Sequence, residues 1–151
     1  MGQKIPKILV ALDGSPGSEA VLPTVAELAR AKGAKVCLLH VAPVVDAVIM
    51  DGRVIAYSDQ ETDRVAQEVL AYLKNVAAQL PGVGVELVVH FGDPAEEIAR
   101  EAESGGADLI ALATHHWTGV RRLLKGSVAE KVERTTAVPV LLVRYGVSLA
   151  A

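Results

Sequence analysis

The stretch KILVALDGSP, residues 7–16, holds the end of a strand, a turn and a helix start in ten residues. Ile8 to Leu12 run apolar without alternation. A strand with one face in water alternates, whereas one covered on both faces reads as a continuous apolar run, as in a parallel sheet. Asp13-Gly14 is turn chemistry. Ser15-Pro16 then supplies an N-cap and a first-turn proline.

Four further runs share this character: KVCLLHV (35–41), VELVVHF (85–91), DLIALAT (108–114) and VPVLLVR (138–144). Helical patterns separate them. Val21, Val25, Leu28 and Ala29 mark one face and Gly33 ends it, while Pro23 inside the segment predicts a kink or a late start. Ser58 and Glu61 have capping-box spacing ahead of a stripe at Val65, Val69, Tyr72, Leu73, Val76 and Leu80. Asp93-Pro94-Ala95-Glu96 caps a third helix, with Ile98 and Ala102 inward and Gly105-Gly106 as its stop. Ser127 and Glu130 cap a fourth, with Val128 and Val132 facing inward. Strand and helix therefore alternate, and right-handed crossovers turn that order into an open, doubly wound α/β sheet. Residues 43–57 show no clear period and read as a long mobile loop beside the second strand. No linker, repeat or second domain interrupts residues 1–151, which read as one domain.

Composition narrows the function. With 51% hydrophobic and 22% charged residues, the chain is globular rather than disordered. A net charge of −3 gives no broad basic footprint, so nucleic acid is not the expected partner. Arg121, Arg122 and Lys125 form a local cluster of a size that suits one phosphate group. No stretch approaches the ~20 apolar residues that span a bilayer, and none resembles a secretory signal. The one cysteine, Cys37, lies in an apolar run and reads as a buried small hydrophobe. A cytoplasmic location is expected.

In open α/β sheets the ligand sits beyond the carboxyl ends of the strands, where strand order reverses. The ends of the first and fourth runs, Ala11-Leu12-Asp13 and Ala113-Thr114-His115-His116, are the places to inspect. Gly126-Ser127-Val128-Ala129 opens the last helix, whose free N–H groups and dipole favour an anion. Ser127 serves equally as a cap there, and Asp13 equally as a turn residue. His115 and His116 are adjacent, with no third ligand nearby, so a zinc site is not expected. His40 and His90 read as satisfied strand histidines. GxxxxGK[ST], GxGxxG and GxSxG are all absent, which removes P-loop, dinucleotide and hydrolase-elbow readings.

Taken together, KILVALDGSPGSEAVLPTVAELA, VCLLHVAP, GDPAEEIAREAESGGADLIALAT and GSVAEKVERTTAVPVLLVR resemble the universal stress protein family over nearly the whole chain. That resemblance implies a three-layer, Rossmann-like fold of the adenine nucleotide alpha hydrolase type, with a five-stranded parallel sheet ordered 3-2-1-4-5. The family's ATP-binding branch carries G-x2-G-x9-G-[ST], whose positions fall here at Ala113, His116, Gly126 and Ser127. The second half matches; the two early glycines are replaced. The resemblance implies that Ala11, Leu12 and Asp13 line the nucleoside and that Val41 contacts adenine. It sets Thr114, His115 and His116 beside the phosphates, held by Gly126, Ser127, Val128 and Ala129. ATP is the implied ligand, with Mg²⁺ entering through the nucleotide. It further implies a homodimer through strand 138–144, acting as a sensor or regulator rather than an enzyme, with no catalytic residue. The alternative is a dimeric interaction module of the same family that binds no nucleotide.

Overall fold

The computed structural model describes residues 6–45, 48–56, 58–115 and 128–145. Among them, β1 (Lys7–Ala11), β2 (Lys35–Ala42), β5 (Val85–Phe91), β6 (Leu109–His115) and β7 (Val140–Tyr145) form one sheet in the order β5-β2-β1-β6-β7. Every pairing in it is parallel. These are the five apolar runs, and their order is the expected 3-2-1-4-5. The sheet reverses direction of growth between β1 and β6, which pair directly from Ile8–Leu109 to Val10–Ala111.

Both faces of the central strands β1, β2 and β6 are covered, which is why they need no polar alternation, whereas the edge strands β5 and β7 stay partly exposed. Ile8, Val10, Val36 and Leu38 point to one side, where they meet α1 (Leu22–Lys32) and α2 (Ser58–Ala77). Leu9, Cys37, Leu39 and Ile110 point to the other, against α3 (Pro94–Ser104) and α4 (Val128–Thr135). Cys37 is fully buried as a free thiol, as its apolar run implies. Fully burying a Leu or Ile side chain contributes roughly 1.5–3 kcal/mol, so these two clusters supply the main driving force for the sandwich.

The helix boundaries follow local chemistry. Asp93 caps α3 by accepting from the Glu96 amide at 3.0 Å, with Pro94 in the first turn. Gly33 closes α1 in the left-handed conformation at φ 64°. The first helix starts late: a 3₁₀ turn over Ser18–Val21 precedes it, and Pro23 sits in its first turn, where a missing N–H costs nothing. Ser15 consequently does not cap α1 itself: its hydroxyl accepts from the Ser18 amide at the start of the 3₁₀ turn and donates to Asp13.

Two further expectations are corrected. Residues 43–57 are not one long loop, because β3 (Val48–Met50) and β4 (Arg53–Ala56) pair there as an antiparallel hairpin. Asp51 and Gly52 both take positive φ, 51° and 72°, the backbone of a type I′ two-residue turn whose twist matches the strands it joins. Val128 does not face inward: it is 41% exposed, and Ala129 and Val132 carry the buried face of α4.

Candidate functional site

The carboxyl ends of β1, β2 and β6 converge at the point where the sheet reverses. A cavity of about 160 Å³ opens there. Its sheet side is made by Ala11 at the end of β1, Leu12 and Asp13 just after it, Val41 of β2, and Leu112 and Ala113 of β6. Pro94 and Ile98, one turn apart on α3, form one wall, and Val128 and Ala129 at the start of α4 form another. Val128, although 41% exposed, thus belongs to the cavity lining. Ser18 closes the end beside Asp13.

The wall is an apolar slot with its polar groups at one end. Asp13 sits in a closed hydrogen-bond circuit there. Its Oδ1 accepts from the Ser15 amide at 2.8 Å and from the Ser15 hydroxyl at 2.5 Å. Its own amide donates to Ser18 Oγ at 3.3 Å, and the Ser18 hydroxyl donates to the Ser15 carbonyl at 2.8 Å. Burial pushes the Asp13 carboxyl up, but the Ser15 hydroxyl and amide, Ser18 and its own amide together outweigh that and hold it below the ordinary carboxylate value. Asp13 is therefore a fixed anion with acceptor capacity left for a ligand hydroxyl.

Leu12 is held equally firmly. Its amide donates to the Leu39 carbonyl at 2.9 Å. Its carbonyl accepts from His40 Nδ1 at 2.7 Å, and since a carbonyl only accepts, Nδ1 carries the proton. On the far edge, His90 Nε2 lies 2.9 Å from Glu101 Oε1. Both strand histidines are thus engaged by protein groups.

Of the residues singled out from sequence, the structure brings Ala11, Leu12, Asp13, Val41, Ala113, Val128 and Ala129 together around this one cavity. Thr114 is half-buried in β6, paired with Arg144, and is not part of the cavity wall. His115 ends β6 opposite Tyr145. His116, Gly126 and Ser127 lie outside the described residues, as do Arg121, Arg122 and Lys125. Four wall residues were not expected: Ser18, Pro94, Ile98 and Leu112. The signal for Ser18 was the spacing Asp13-Ser15-Ser18, an Asx-type turn continued by a second hydroxyl. Pro94 and Ile98 were legible as cap and core residues, and nothing local says that the same face also borders a cavity.

The fold is a doubly wound α/β sheet, and its cavity lies at the reversal point, where open sheets of this class hold their ligands. Residues 4–144 match the Universal stress protein family, and the chain belongs to it. Universal stress protein YxiE of Bacillus subtilis is 34% identical over 145 residues, covering 91% of this chain and 98% of its own. The structure of MJ0577 from Methanocaldococcus jannaschii superposes with a TM-score of 0.75 at 27% identity, covering 95% of this chain and 98% of that one. A universal stress protein from Archaeoglobus fulgidus, solved in complex with dAMP, shares the fold with a TM-score of 0.62 at 22% identity, over 92% of this chain and 97% of that one.

Proposed function

We propose that this universal stress protein binds an adenine nucleotide in the cavity at the sheet reversal and works as a homodimeric sensor or regulator. The observation that carries the reading is the cavity itself: an apolar slot that ends on one fixed carboxylate. A flat purine suits the slot between Val41 and the α3 wall. Ribose hydroxyls suit Asp13, because a pre-ordered carboxylate accepts from them without further loss of freedom. At about 160 Å³ the cavity takes the nucleoside end only, below the 300–1,000 Å³ of a pocket enclosing a whole small ligand. The phosphates then lie toward the N-terminal end of α4, whose dipole favours them. Support also comes from the fold shared with the dAMP-bound Archaeoglobus fulgidus protein.

ATP is the leading ligand. Among the described residues no group of three or more metal-ligating side chains occurs, so Mg²⁺ would arrive on the phosphates. Asp13 is the single ionisable group on the described cavity wall, and we read it as a ligand for ribose hydroxyls. The edge strand β7 leaves Leu142 36% exposed, and an unpaired apolar edge is best covered by a second copy pairing through residues 138–144. Among the described residues no helix is long and apolar enough to cross a membrane. A buried free thiol suits the reducing cytoplasm.

The interaction-module alternative draws on a different observation: Val44 and Met50 are 71% and 61% exposed around the hairpin. Titration calorimetry with AMP and with Mg-ATP separates the two. The nucleotide reading expects binding by the wild type and weakened binding by Asp13→Ala. No heat and no competition at millimolar nucleotide would leave the interaction module in its place.

A further inference from the structure

Gly17 has an ordinary right-handed backbone, φ −64° and ψ −37°, which any residue adopts. Its reason for being glycine lies elsewhere. A Cβ at this position would fall on Cε2 and Cζ of the Tyr145 ring and 2.7 Å from its hydroxyl. The ring therefore lies directly on the backbone of residue 17. It comes from the last described residue of β7, the edge strand, next to His115 at the end of β6.

What the ring covers is the turn that holds Asp13. The Gly17 carbonyl accepts from the Ala20 amide at 3.1 Å, and the Ser18 amide donates to the Ser15 carbonyl and hydroxyl, both at 3.2 Å. Ser15 and Ser18 are the residues that bond to the side chain and the amide of Asp13. Tyr145 thus braces, from outside, the short arc whose inner side borders the cavity.

We infer that Tyr145 is a positioning residue for the ligand, acting through Gly17 and the Ser15–Ser18 turn on Asp13, so that the edge strand and the cavity are mechanically joined. The inference rests on the nucleotide reading above. An aromatic ring laid on bare backbone restrains that backbone through contact area, and glycine at position 17 is what lets it approach. Because the ring is carried by the edge strand, any chain pairing along β7 bears on the turn through the same contact.

The test uses the full chain and AMP as the probe. Four variants are compared with the wild type by calorimetric titration and by amide hydrogen exchange: Tyr145→Phe, Tyr145→Ala, Gly17→Ala and Asp13→Ala/Tyr145→Ala. Tyr145→Ala and Gly17→Ala are expected to weaken AMP binding about five- to tenfold, the size of an indirect coupling between contacting residues. Both should speed exchange over residues 13–21 while leaving β1 and β2 protected. Tyr145→Phe keeps the ring on Gly17 and should lose less than Tyr145→Ala in both binding and exchange; a Phe variant as impaired as Tyr145→Ala would overturn the ring's role. The double variant should bind no more weakly than Asp13→Ala alone, because Tyr145 acts through Asp13. Wild-type affinity in both Tyr145→Ala and Gly17→Ala overturns the inference, as does a double variant whose losses simply add. A wild type that binds no AMP overturns the function on which it rests. In that case unchanged exchange over residues 13–21 in Tyr145→Ala would separately overturn the brace.

Discussion

His40 Nδ1 donates to the Leu12 carbonyl across 2.7 Å, so the second strand of the sheet holds the residue that leads the first strand into the cavity. The Leu12 carbonyl has left the regular ladder by that point, and without His40 it would lose its partner at the rim of a buried apolar wall. A buried acceptor left unpaired costs about 1–3 kcal/mol. His40→Leu is therefore expected to lower thermal stability and weaken nucleotide binding together. Side-by-side melting and titration of the variant check this, and unchanged values in both would remove His40 from the account.

The carboxylate of Glu86 joins two lysines, Lys7 at 2.5 Å and Lys35 at 3.2 Å. The Lys7 hydrogen bond holds the Glu86 carboxyl below its ordinary value, and the Glu86 hydrogen bond holds Lys7 above its own. A lowered folded-state carboxyl stabilises the protein above its unfolded value and loses that effect as pH falls through the folded value. The raised Lys7 does the reverse at the alkaline end. The stability gap between wild type and Glu86→Gln should thus be widest between about pH 5 and pH 10 and close on both sides. The groups are partly exposed, so the gap should stay within about 1 kcal/mol. Denaturant unfolding across pH gives the profile; a gap that grows in acid would contradict the pairing.

Cys37 is fully buried between β1 and β5, on the α3 side of the sheet. Burial pushes its thiol up to about 12. Only the thiolate attacks alkylating reagents, so native protein at neutral pH should be labelled by iodoacetamide no faster than it unfolds. Fast, stoichiometric labelling of the folded protein would place Cys37 elsewhere than the core.

The hairpin makes a separate prediction. Gly52 has φ 72°, and a β-branched residue there is strained by roughly 1–2 kcal/mol. Gly52→Val should loosen residues 48–56 in hydrogen exchange and leave the five-stranded sheet protected. Loss of protection throughout the sheet would show that the hairpin supports the core.

The sheet was legible because its central strands are covered on both faces and its edge strands keep the same apolar character. Short, continuous apolar runs at 7–13, 35–41, 85–91, 108–114 and 138–144, each bounded by turn or cap residues, fit little besides buried strands. The hairpin was legible in principle through Asp51-Gly52, but its strands are short, and the lack of period over 43–57 hid them. The helical pattern puts Val128 inward together with Val132, but the structure leaves it 41% exposed. A helix that opens at the rim of a cavity exposes its first residue whatever the period says. On the site, Asp13 and Ala113 followed from strand ends and switch-point geometry, and from the family pattern. Ser18 and Tyr145 could not be assigned that way: Ser18 works through a local turn, and Tyr145 reaches Gly17 from the far end of the chain, a contact that only the assembled sheet creates.

A nucleotide held in the cavity must stabilise the fold, so thermal melting with saturating AMP or Mg-ATP reports on it at once. Ligand at one hundred times its dissociation constant adds about 2.7 kcal/mol to folding. The wild type should melt several degrees higher with nucleotide, and Ala113→Trp, which fills the slot, should show no shift while keeping its own cooperative transition. Identical melting of the wild type with and without millimolar nucleotide would contradict the account.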